Sequence, residues 1–134
     1  MPEKTLAALE QAEKFELLSL YPYPPEKKSP TDFHGWKVLG RTQIKDKQTR
    51  EQLIAAFKRS VEENDGYAAA CFDPRHGIRV QYQGKTVDWV ICCECAQVRE
   101  YMDDGKQSGF LTSGSVKTVF NKVLREAGVE LPTK

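Results

Sequence analysis

Two short stretches carry nearly all the side chains able to do chemistry: Cys71-Phe72-Asp73-Pro74-Arg75-His76-Gly77 and Ile91-Cys92-Cys93-Glu94-Cys95. Together they supply a Cys-x4-His pair, a Cys-x2-Cys pair and Cys93 as an extra thiol. Zinc takes four soft or borderline ligands in a tetrahedron, and three thiolates with one imidazole form an accepted set. Cys71, His76, Cys92 and Cys95 are therefore the candidate metal ligands, with one structural zinc as the candidate cofactor. A single Cys-x2-Cys without a second is a weak zinc signature, so other uses stay open. The cysteines suit small buried positions in strands, where free cysteine commonly sits, with His76 bonding a turn carbonyl. They also suit a disulfide from Cys71 to Cys92 or Cys95 across neighbouring strands. A last use is nucleophilic: Cys71 or Cys95 with His76 as base, steered by Glu94 or Asp73. Against it, the chain has no nucleophile elbow or oxyanion-type glycine loop. A thioredoxin-like motif needs its first cysteine at a helix N-terminus, whereas residues 96–101 read as strand. There is no P-loop, dinucleotide fingerprint, HExxH or EF-hand pattern.

A second, quieter constellation comprises Arg75, Arg79, Lys85, Asp88 and Glu94. Arg75 and Arg79 can grip a carboxylate or phosphate bidentately. Such residues are also commonly solvated or paired, and Arg79 falls opposite Asp88 in a hairpin, where the pair supports register by some tenths of a kcal/mol. Arg75, Arg79 and Asp88 are the candidate binding residues. His34, in Phe33-His34-Gly35-Trp36, marks a loop-to-strand junction.

The elements that must position these residues follow from periodicity and breakers. Residues 3–14 predict a helix with Leu6, Leu9 and Ala12 at helical spacing, and residues 15–20 a strand. A proline-rich loop then runs from about 21 to 32, containing one PxxP from Pro22 to Pro25 that suits a rigid connector better than a docking motif. Residues 35–44 read as a strand. Asp46 can cap a helix on which Leu53, Phe57 and Val61 stack, ended by Asn64-Asp65-Gly66. Residues 67–72 read as a further strand. Residues 77–82 and 86–93 form a hairpin around Gln83-Gly84, with Val80 facing Val87 and Ile78 facing Trp89. Beyond Ile91 the apolar alternation changes phase, which a β-bulge would produce, and the strand resumes to about Tyr101. Residues 103–113 read as loop. A final helix carries Val116, Val119, Phe120, Val123, Leu124 and Ala127 and ends at Gly128 and Pro132. The pattern predicts an α+β fold: an antiparallel sheet of about five strands flanked by about three helices.

The chain of 134 residues fits one domain, 1–134, and at this size roughly two thirds of the unfolded surface is buried on folding. Forty per cent apolar and 29% charged residues are ordinary for a globular protein. Twenty basic against nineteen acidic side chains give a net charge of +1, which offers no electrostatic case for nucleic acid or an anionic membrane as partner. The N-terminus lacks a signal-peptide core and no apolar run is long enough to span a bilayer, so the expected location is cytoplasmic, where thiols are normally reduced.

The pieces Phe33-His34-Gly35-Trp36-Lys37-Val38-Leu39-Gly40, Cys71 through Arg79, Val87 through Cys95, and Val119-Phe120 through Val129 together resemble a family of small bacterial proteins of uncharacterised function. The likeness covers residues 15–131. It implies a compact stand-alone domain and brings no activity with it. Relatives carry an aromatic where Cys93 stands, which sets Cys93 apart from any site. Some relatives look exported or lipid-anchored, which would favour a disulfide from Cys71 to Cys92 or Cys95. From the sequence, then, the expectation is a non-enzymatic binding domain, with a protein as the candidate partner, holding a packed or metal-bound cysteine cluster. Its rival is a thiol-dependent enzyme using Cys71 or Cys95 with His76.

Overall fold

The computed structural model describes residues 1–24 and 27–133. Pro25, the end of the PxxP, lies outside the described residues, as do Glu26 and Lys134. The order is α1 (Glu3–Glu10), β1 (Lys14–Leu20), β2 (Val38–Gln43), α2 (Lys47–Glu62), β3 (His76–Tyr82), β4 (Lys85–Cys92), β5 (Gln97–Met102), β6 (Gln107–Leu111) and α3 (Lys117–Glu126). The strands form one antiparallel sheet in the order β2-β1-β3-β4-β5-β6. This is an α+β fold with six strands and three helices among the described residues.

Alternation divides the sheet into two faces. The inner face presents Phe15, Leu17, Ile78, Val80, Val87, Trp89, Ile91 and Val98. These pack against Leu9 of α1, Leu53 and Phe57 of α2, and Phe120 and Leu124 of α3. Asp46 caps α2 by accepting from Thr49 N–H at 2.9 Å. The outer face is covered by chain without regular structure. Phe33, from the segment between β1 and β2, is buried with Leu18, Leu20 and Val90, and Trp36, Phe72 and Tyr101 pack around them. Gly77 makes room for this cover, because a Cβ there would come within 2.7 Å of the Phe33 ring.

The β3–β4 hairpin turns at Gln83-Gly84, both at positive φ, in the register the alternation predicts: Tyr82 faces Lys85, Val80 faces Val87, Ile78 faces Trp89 and Arg79 faces Asp88. Three expectations are corrected. The run 86–101 is not one bulged strand but two strands joined by a tight turn at residues 93–96. Ile91 pairs with Val98 and Val87 with Met102, so odd core positions on β4 face even ones on β5, which is the phase change seen in the sequence. Residues 67–72 are not a strand; the whole stretch 64–75 is an irregular strap with Tyr67 exposed. Residues 107–111, expected in a loop, add β6 to the sheet edge. Among the described residues no helix is long and apolar enough to cross a membrane.

Candidate functional site

The tight turn Cys93-Glu94-Cys95-Ala96 contains no glycine, proline or asparagine, and Ala96 takes φ 58°. A disulfide between Cys92 and Cys95 clamps it, and both cysteines are 1% exposed. Cys95 N–H also donates to Cys92 Sγ at 3.2 Å. The strap lies across this turn: Ala69 N–H donates to Cys95 O at 3.1 Å, and the Gln97 amide donates to Ala69 O.

The four residues expected to hold zinc are therefore not gathered. Cys92 and Cys95 are bonded to each other, Cys71 is an exposed free thiol, and His76 turns to the opposite, inner face beside Phe120. Strand alternation is the reason: His76 shares the face of Ile78, whereas Cys92 shares that of Val90. Among the described residues no group of three or more His, Cys, Asp or Glu side chains is placed to hold a metal ion. The expected disulfide partners are corrected likewise, since the bond closes within the turn and leaves Cys71 out.

His76 is 2% exposed, and its Nε2 lies 2.8 Å from Asn121 Oδ1. Burial holds its pKa down to about 4; the Asn121 bond works the other way, and the Lys117 and Arg75 charges add to the lowering. The ring is thus neutral near pH 7, Nε2 donates to Asn121, and Nδ1 is an acceptor with no partner among the described residues. A small cavity of about 10 Å³ touches His76, Asp73, Arg75, Cys93, Glu94 and Lys117, room for about one water. Cys93 borders it, and burial pushes that thiol up to about 12.

The cavity adjoins a larger cleft of about 540 Å³ beside α3, sharing with it Arg75, Glu94 and Lys117. Asn121 and Arg125 line the α3 side, and Tyr23, Leu131 and Pro132 give an apolar rim. Glu94 Oε1 stands 3.1 Å from Arg75 Nη1 and 3.8 Å from Lys117 Nζ. The Arg75 side chain is only 18% exposed, whereas Glu94 is 59% exposed. Lys117, Asn121 and Arg125 were not singled out from the sequence. Their signal was the polar i, i+4, i+8 row flanking the apolar stripe of α3.

The expected binding trio divides. Arg75 belongs to this cleft, while Arg79 and Asp88 form a forked pair on the outer face, with both contacts at 2.8 Å. His34 Nε2 completes the Asp88 site at 2.7 Å, and its ring stacks on Tyr101 at 3.8 Å. Burial would raise the Asp88 pKa, but the bonds from Arg79 and His34 outweigh it and hold the carboxyl below its ordinary value. Arg79 also lies over the Phe33 ring, so its fork is occupied by the fold. Comparison with protein-family models, curated proteins and solved structures finds no match to this chain.

Proposed function

We propose that this domain is a non-enzymatic binding module whose working site is the cleft between the β4–β5 turn and α3, and that it takes a ligand presenting a carboxylate or phosphate. The observation that carries the proposal is the setting of Glu94. Its carboxylate is held by Arg75 and Lys117 at the edge of a cleft that Arg125 also lines. Among the described lining residues, three cations against one acid leave this concave patch positive on a chain whose net charge is only +1. Glu94 is the most exposed member of the trio and an internal stand-in for the incoming anion, which replaces it on a guanidinium already fixed by burial. The apolar rim of Tyr23, Leu131 and Pro132 suits a ligand whose anionic group is attached to an organic body.

The rival, a thiol-dependent enzyme, finds little support. Such a mechanism needs a thiol beside an accessible base. The Cys95 sulfur is tied to Cys92, and Cys71, though free and exposed, sits on the strap over the outer face, across the sheet from His76. His76 is buried and a poor base, on the face away from the disulfide.

Titration of the labelled protein with inorganic phosphate and with acetate, followed by NMR, tests the proposal. Shifts should centre on Arg75, Glu94, Lys117 and Asn121. Lys117→Ala should weaken phosphate binding by about tenfold, as loss of one charge-assisted hydrogen bond does. Shifts centred elsewhere, or an unchanged affinity in that variant, would contradict it.

A further inference from the structure

The disulfide of the β4–β5 turn has a free thiol on the strap laid across it. Both flanks of Cys71 touch that turn. On one side Ala69 is bonded to Cys95 O and to the Gln97 amide; on the other the Asp73 carbonyl lies 3.5 Å from Cys92 Sγ. Each tether is two residues from Cys71, and two residues of chain span at most about 7 Å. An exposed thiol is therefore confined beside a disulfide whose own cysteines are sealed from solvent. The other free cysteine, Cys93, sits within the turn itself but faces the main core, where burial suppresses its ionisation.

We infer that Cys71 is the relay thiol through which an external dithiol reduces the buried Cys92–Cys95 disulfide. The Cys71 thiolate attacks Sγ of Cys92 or Cys95. A bond from Cys71 to that sulfur forms, the Cys92–Cys95 bond breaks, and the leaving sulfur takes up a proton. The first sulfur of the dithiol then attacks the exposed Cys71 sulfur, releasing the second buried cysteine as a thiol. The second sulfur of the dithiol closes onto the first and returns Cys71 to its free form. One disulfide is reduced, one dithiol is oxidised, and two electrons and two protons pass to the protein. Turning Cys71 inward requires the strap to release these tethers and Phe72 to shift on the outer-face cluster beneath Arg99, but breaks no sheet ladder, because residues 64–75 hold no ladder position. The activity is a redox change of the domain's own turn and does not depend on the anion cleft.

The test is the rate at which dithiothreitol reduces the oxidised protein, read by quenched alkylation and mass spectrometry. Cys71→Ser changes one exposed side chain and should leave the fold unchanged. The inference expects reduction in that variant to be slowed about tenfold or more, since direct attack must reach a sealed bond. In the wild type under limiting dithiothreitol, peptide mapping should recover Cys71 linked to Cys92 or Cys95. A rate in Cys71→Ser within tenfold of wild type overturns the inference, whatever the map contains.

Discussion

The His76 ring lies against Phe120, with Nε2 bonded to Asn121 and Nδ1 unpartnered among the described residues. Its pKa of about 4 is below the ordinary histidine value near 6.5, so the unfolded chain takes up a proton in a window where the native one does not. Stability from this group is complete above about pH 6.5 and is lost as the pH falls towards 4, by up to about 3 kcal/mol. Urea unfolding at pH 7.0, 5.5 and 4.5 should show that decline, and His76→Gln should flatten it. A decline of equal slope in the variant would place its origin elsewhere. Asp88 acts lower on the scale: its pKa is depressed, so its contribution is present above the unfolded carboxylate value and lost as pH falls below it. Asp88→Ala strands Arg79 and His34 together. Because Arg79 is 35% exposed, the cost is expected at about 2 kcal/mol, below that of a sealed ion pair, measurable by the same melts. The Arg79–Asp88 pair was legible in the sequence because a two-residue hairpin fixes its register. The use of the cysteines was not, because it turns on which face His76 and Cys92 share and on where β4 ends.

At the scale of elements, legibility followed the strength of local signals. Gln83-Gly84 marks its turn by residue type, and Asp46 and the stripe of α3 mark their helices. The β4–β5 turn is silent by that criterion, since covalent closure between Cys92 and Cys95 takes the place of turn-forming residues. A change of apolar phase is common to a bulge and to a hairpin of odd register, so the alternation alone could not choose between them. The strap misleads for a related reason: within Tyr67 to Phe72 the buried contact is that of Phe72, which covers the outer face of the sheet without joining it, while Tyr67 is exposed. Gly77 tests that cover directly. Gly77→Ala puts a methyl within 2.7 Å of the Phe33 ring and is expected to cost about 1–3 kcal/mol. In a double-mutant cycle with Phe33→Leu the double variant should lose clearly less than the sum of the two single losses. Full additivity would mean that Phe33 does not rest on Gly77.

For the whole molecule, the balance of charge conceals a local excess. Twenty cations and nineteen acids interleave along the chain, yet folding brings Arg75 from the strap and Lys117 and Arg125 from α3 to one cleft, where Glu94 is the one acid among the described lining residues. Phosphate binding there should weaken as salt rises from 0.02 to 0.3 M, because the attraction is screened within about a Debye length. A salt-independent affinity would contradict an electrostatic site in this cleft. The most direct measurement is the affinity for phosphate of Glu94→Gln against wild type at one low ionic strength. If Glu94 is the internal stand-in for the ligand, its neutralisation frees Arg75 and Lys117, and binding should tighten about threefold or more. An unchanged or weaker affinity in Glu94→Gln would contradict the assignment of this cleft as the anion site.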